Sequence, residues 1–229
     1  MRDREQPSAR GDAGASLTPS QQRELVQRIL RRYPRTYAQE AGIRSLDTPS
    51  GLFQLLVMAT LMSARIRSST ALKATRALFA QRWTNARAMA SATWVQRTEV
   101  LNHAGYARYD ESTSRMLGET AVLLLDRYRG DLRRLREEAD REPATERRLL
   151  QLCKGMGDVG VDIFFREVQC SWTEIYPFAD RRALGAAGRL GLGADAAALA
   201  RWASGADFVR LVVGLVRLDI ERAYDDLEA

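Results

Sequence analysis

Residues 149–165, LLQLCKGMGDVGVDIFF, constrain the fold of this chain more than any other stretch. An apolar helical turn of Leu149, Leu150 and Leu152 meets a bend, Lys154-Gly155-Met156-Gly157. A second apolar helix is expected from about Asp158, carrying Val161, Ile163, Phe164, Phe165 and Val168. Two glycines in a tight bend permit positive φ and let a bulky polyanion come close to the backbone. The N–H groups behind the bend open a helix, so they point outward unpaired at its positive end, where phosphate is the usual occupant. The same G-x-G pattern also makes an ordinary tight helical hairpin, and the pattern alone leaves both readings open.

Helical periodicity extends along the rest of the chain, and no β-alternation persists, so the class is all-α. Helices are expected over residues 20–32, 52–64, 69–82, 85–90, 94–102, 110–129, 131–139 and 145–153. After the hairpin they are expected over 181–190, 194–203 and 206–226. The helix over 52–64 is apolar nearly all round, which places it in the centre of a core. Residues 1–18 are polar and aperiodic and read as a disordered tail; residues 33–47 read as a connector.

The chain has 229 residues, 45% of them hydrophobic, enough to bury a core. No apolar run is long enough to span a bilayer and the sequence MRDREQPSAR lacks a signal core, so a cytoplasmic, nucleoid-associated location is expected. The net charge of +6 favours a polyanionic partner. Lys73 and Lys154 are the only lysines. Cys153 and Cys170 are expected to be buried structural cysteines without a disulfide.

Three stretches in order resemble the endonuclease III superfamily of helix-hairpin-helix DNA glycosylases. Residues 152–161 resemble its hairpin, L-P-G-V-G, with Lys154 in place of the proline. Upstream, PSGLFQLL (49–56) and LMSAR (61–65) resemble P-F-E-L-L and L-L-S-A-Q; downstream, YPFADR (176–181) resembles the stretch ending in the catalytic aspartate. The resemblance covers about residues 45–190. It implies a two-lobed fold with the active-site cleft between the lobes. A central bundle would span 48–172, with the hairpin over about 145–170, and a second lobe would combine 20–47 with 178–229.

The resemblance also implies roles. Breaking an N-glycosidic bond builds positive charge on the sugar, which a fixed carboxylate stabilises while orienting a water. Asp180 is the expected carboxylate; a helix N-cap is the bland role of such an aspartate, and the two are compatible. DNA-phosphate contacts fall to Lys154, Gly155, Met156, Gly157 and Val159. Bifunctional members carry a nucleophilic lysine where Val159 stands, so the implied activity is monofunctional, without efficient strand cleavage. The family's four cluster-binding cysteines are missing, so no iron–sulfur cluster, metal or other cofactor is implied. Arg65 aligns with the residue that relatives insert into the base stack, and Arg67 follows it in an acid-free stretch that also includes Lys73, Arg76 and Arg82. A solvated basic helix face is the alternative. Tyr106, Tyr109, Asp110 and Glu111 are candidates for a base pocket, against buried core tyrosine and N-capping aspartate. His103, the sole histidine, reads as a loop or capping residue.

The expected partner is double-stranded DNA with a damaged base, an alkylated purine as the first guess, bound by a monomer and not at a membrane. The alternatives are a non-catalytic helix-hairpin-helix protein that holds distorted DNA and an all-α protein-interaction module.

Overall fold

A computed structural model describes residues 17–227, and these are helical with short connections. Residues 1–16, where most of the expected tail falls, lie outside the described residues, as do 228 and 229. Thr18 does not belong to a tail. Its hydroxyl caps α1 (Pro19–Arg32) in a reciprocal capping box with Gln21.

α3 (Pro49–Ser63) is the centre of the first core. Thr48 caps it, proline occupies its first turn, and Leu52, Phe53, Leu55, Leu56, Met58 and Leu61 are all but fully buried. Each such side chain contributes about 1.5–3 kcal/mol when taken out of water. α4 (Ser68–Ala80), α8 (Leu132–Glu138) and α10 (Asp158–Val168) pack against it. α7 (Asp110–Tyr128) packs against α5 (Ala86–Ser91) and α6 (Trp94–His103) and closes the same cluster. α9 (Pro143–Leu150) leads into the hairpin; Pro143 opens this helix, where its missing N–H has no intrahelical partner to lose.

A second core gathers α1, α11 (Arg181–Arg189), α12 (Ala196–Ala200) and α13 (Gly205–Glu221) around Ile29, Phe208, Leu211 and Leu215. α13 also sends Val209 and Val213 into the first core. It ends at Arg222 in the left-handed region and does not continue to residue 226.

The segment read as a connector contains α2 (Tyr37–Glu40), and Tyr37, Ala38, Ala41 and Ile43 join the first core. Four residues show no periodicity, so sequence pattern misses α2. It exists because Thr36 and Gln39 form a capping box and the buried Glu167 carboxylate accepts from the Tyr37 N–H at 2.9 Å. Burial raises the Glu167 pKa. Cys153 is buried as expected, but Cys170 is exposed, in the turn that follows α10.

Candidate functional site

The hairpin joins α9 to α10. Gly155 takes φ +84°, and a Cβ there would lie 2.9 Å from Met116 Sδ and 3.0 Å from Thr60 Cγ2. The positive φ favours glycine, and any larger residue would also push Met116 and Thr60 aside. Thr120 Oγ1 donates to the Lys154 carbonyl at 3.3 Å, fixing the bend on α7. Gly157 is the N-cap of α10 at φ −85°, with no side-chain cap, and a Cβ at this position would have nothing within 4 Å. The first N–H groups of α10 therefore face open space. Lys154 stands exposed beside them, and Val159 is 59% exposed. Met156 is buried, so only its backbone reaches this edge. Asp158 is held by Gln151 at 2.7 Å; its carboxylate suits the helix dipole but repels an incoming anion.

Arg65 and Arg67, both exposed, lie on the short link between α3 and α4. A Cβ on Gly160 would sit 3.7 Å from that of Ser63, so this link and the opening of α10 share one end of the molecule. The fold thus brings together the two arginines and the glycine bend that were expected to grip DNA.

Asp180 sits where the two cores meet. It is the N-cap of α11: Oδ1 accepts from the N–H groups of Arg182 at 2.9 Å and Ala183 at 3.2 Å. Gln169 braces the approach, accepting from the Phe178 N–H at 2.9 Å and donating to the Phe178 carbonyl at 3.1 Å. The dominant partner is one that sequence reasoning missed. Arg166, from the buried face of α10, donates to Asp180 Oδ2 through Nε at 2.7 Å and Nη2 at 2.6 Å. Arg166 is 5% exposed and Asp180 7%. A charged residue inside the apolar run of α10 was the available signal, because a buried guanidinium demands a carboxylate.

Further charge surrounds this pair. Arg217 of α13 binds Glu40 at 2.7 Å and lies 4.1 Å above the Tyr37 ring, while its Nε and Nη2 are buried without a partner. Burial raises the Tyr37 pKa, and the Arg217 and Arg166 guanidiniums oppose that shift. Hence α2, α10, α11 and α13 converge on a polar seam between the cores.

Two of the four base-pocket candidates, Tyr106 and Asp110, are buried. Tyr106 is fully buried and its hydroxyl donates to the Leu61 carbonyl at 2.8 Å, leaving no ring face for a base; burial pushes its pKa up to about 12. Asp110 is buried in the first turn of α7, accepting from Asn102 at 2.7 Å and the Glu111 N–H at 2.7 Å. Tyr109 is half-buried beneath the Arg108 guanidinium, and Glu111 is exposed. His103 is exposed in the last turn of α6. A groove of about 750 Å³ runs along α5, α6 and α7, lined by Trp94, Arg115, Val122 and Lys154 among others. None of its lining residues belongs to α10 or α11, so it is separate from the Asp180 seam.

Two solved structures share this architecture. One is a trapped covalent intermediate of endonuclease III with DNA, an estranged-adenine complex, at 15% identity and TM-score 0.51. The other is a non-covalent endonuclease III–DNA complex, at 15% identity and TM-score 0.52. Each comparison covers 88% of this chain and 86% of the other. No protein-family model matches the chain, and no curated protein matches it in sequence.

Proposed function

From the fold of endonuclease III, we propose that this chain grips duplex DNA and hydrolyses the N-glycosidic bond of a damaged base as a monofunctional glycosylase. The observation that carries the reading is the placement of Asp180: a carboxylate at a helix N-terminus, in the polar seam between the two cores. There it can stabilise the oxocarbenium-like sugar and orient a water. Lys154 and the outward N–H groups of Gly157, Asp158 and Val159 hold a phosphate, and Arg65 fills the gap left by an extruded nucleotide. Val159 offers no amine for attack on the sugar, so strand cleavage does not accompany base loss. Alkylated purines fit best, because a cationic base leaves with little assistance and no general acid needs to protonate it.

One observation favours a second reading. Two backbone donors and two Arg166 donors occupy the four acceptor directions of the Asp180 carboxylate, and the guanidinium cancels its charge. Excision requires Arg166 to release Asp180 once DNA enters. A protein in which it never does so binds DNA without releasing a base.

Duplexes carrying alkylated, deaminated, oxidised or mismatched bases, incubated with the protein and resolved with and without alkali, separate the two. Base loss that yields strand breaks only after alkali is the expected result. Strand breaks without alkali would overturn the monofunctional assignment, and tight binding with no base loss from any duplex would leave the non-catalytic reading.

A further inference from the structure

Positive charge is concentrated in one part of this chain. Between Asp47 and Glu99 there is no acidic residue but seven basic ones. The whole chain carries +6 and this segment +7, so everything else sums to −1. One of the seven, Arg97, is buried and directs its donors to the carbonyls of Met89, Ala92 and Ser114. The others reach solvent. Arg67 precedes α4, Lys73 and Arg76 lie on its exposed side, and Arg82 follows its end with φ +63°. None of these four is in an ion pair among the described residues, whereas arginines elsewhere in the chain commonly are. Arg76 makes only a 3.0 Å hydrogen bond to the Glu40 carbonyl.

We propose that this unpaired edge of α4, Arg67, Lys73, Arg76 and Arg82, is a second DNA-binding surface that tracks the phosphate backbone of the duplex flanking the hairpin site. The inference rests on the DNA-binding half of the function proposed above and adds a surface to it. Continuity selects DNA over other polyanions: α4 begins at Ser68, on the same link as Arg65, at the end where the α10 N–H groups open to solvent. Thirteen residues of helix rise about 20 Å, the length of roughly six base pairs at 3.4 Å each. Leaving unpaired cations adjacent on a helix is mildly unfavourable for folding, and the edge keeps several with no acidic neighbour in sequence. An external polyanion supplies the missing counter-charge.

The test is equilibrium binding of a 24-base-pair undamaged duplex by fluorescence anisotropy across a salt series, with thermal melts confirming that each variant folds. It compares the natural protein, a triple variant Lys73→Gln, Arg76→Gln, Arg82→Gln, and a charge-matched control, Arg23→Gln, Arg31→Gln, Arg134→Gln. The expected result is at least tenfold weaker binding by the α4 variant at about 0.1 M salt. Its log–log salt slope should be about 2–3 smaller, near 0.9 for each phosphate no longer neutralised, while the control stays close to the natural protein. Equal losses in the two variants would assign the effect to net charge and overturn the second surface. Competition by polyglutamate as effective as duplex DNA at equal charge would transfer the surface to an acidic protein. Failure of the natural protein to bind any duplex would instead remove the DNA-binding reading itself.

Discussion

The hairpin and the Asp180 seam lie at opposite ends of α10 and are built in opposite ways. At the N-terminal end the backbone donors are left open: Gly157 provides no side-chain cap, and a Cβ placed there meets nothing within 4 Å. Toward the C-terminal end every oxygen direction of Asp180 is filled, and its partner is buried with it. An open donor array is ready for a ligand without rearrangement. A saturated carboxylate is ready for stability and must be unmasked before it does chemistry. Binding and catalysis therefore make different demands on this chain, and they separate by mutation.

The largest effect is expected at the saturated end. Arg166→Ala leaves a buried carboxylate uncompensated, which costs about 3–5 kcal/mol and should lower the melting temperature sharply. A variant that melts like the natural protein would mean that the pair is not formed in solution. Next comes the bend. Gly155→Ala places a methyl group against Met116 and Thr60 in a left-handed backbone, so about 1–3 kcal/mol of stability and roughly tenfold in DNA affinity should be lost together.

Gly157→Ala sharpens the contrast, because its φ of −85° and empty surroundings accommodate a methyl group. Stability should change by less than about 0.5 kcal/mol while DNA affinity falls several-fold, the methyl group standing where a phosphate would. Equal affinity for the variant would remove the phosphate from this position.

A last effect, read as a dependence on pH, concerns Glu146 in α9, which leads into the hairpin. Both of its carboxyl oxygens are buried without a partner, and burial beside Glu174 pushes its pKa up to about 8. Arg136 and Glu142 also face it, Arg136 being bound to Glu174 at 2.5 Å. The folded pKa lies above the ordinary 4.5, so the protonated form belongs to the fold. Its contribution is complete below pH 4.5 and lost as pH rises through about 8. Glu146→Gln should therefore flatten the fall in melting temperature across that window, and a variant whose melting temperature falls as steeply as that of the natural protein would remove Glu146 as its source.

The readable features of the sequence are those whose chemistry is local. The glycine bend, the all-round apolar α3 and the aspartate opening α11 each announce themselves within a few residues. Arg166 does not, because its role depends on a carboxylate fourteen residues away across a turn, and one sequence does not say which side of α10 faces Asp180. Tyr106 misleads for a related reason. An aromatic residue after Gly105 suits a ligand pocket and a core equally, and the Leu61 carbonyl that receives its hydroxyl is 45 residues distant. Likewise α2 owes its existence to Glu167, 130 residues away.

The role of Asp180 is decided by single-turnover base release by the natural protein and by Asp180→Asn, each shown to bind the same lesion duplex. Asparagine keeps the cap through its one amide oxygen but removes the charge and turns its NH2 toward Arg166, so in a variant that melting shows to be folded excision should fall by at least about a thousandfold while duplex affinity changes by less than about threefold. Excision by the variant at an undiminished rate would contradict the assignment of Asp180.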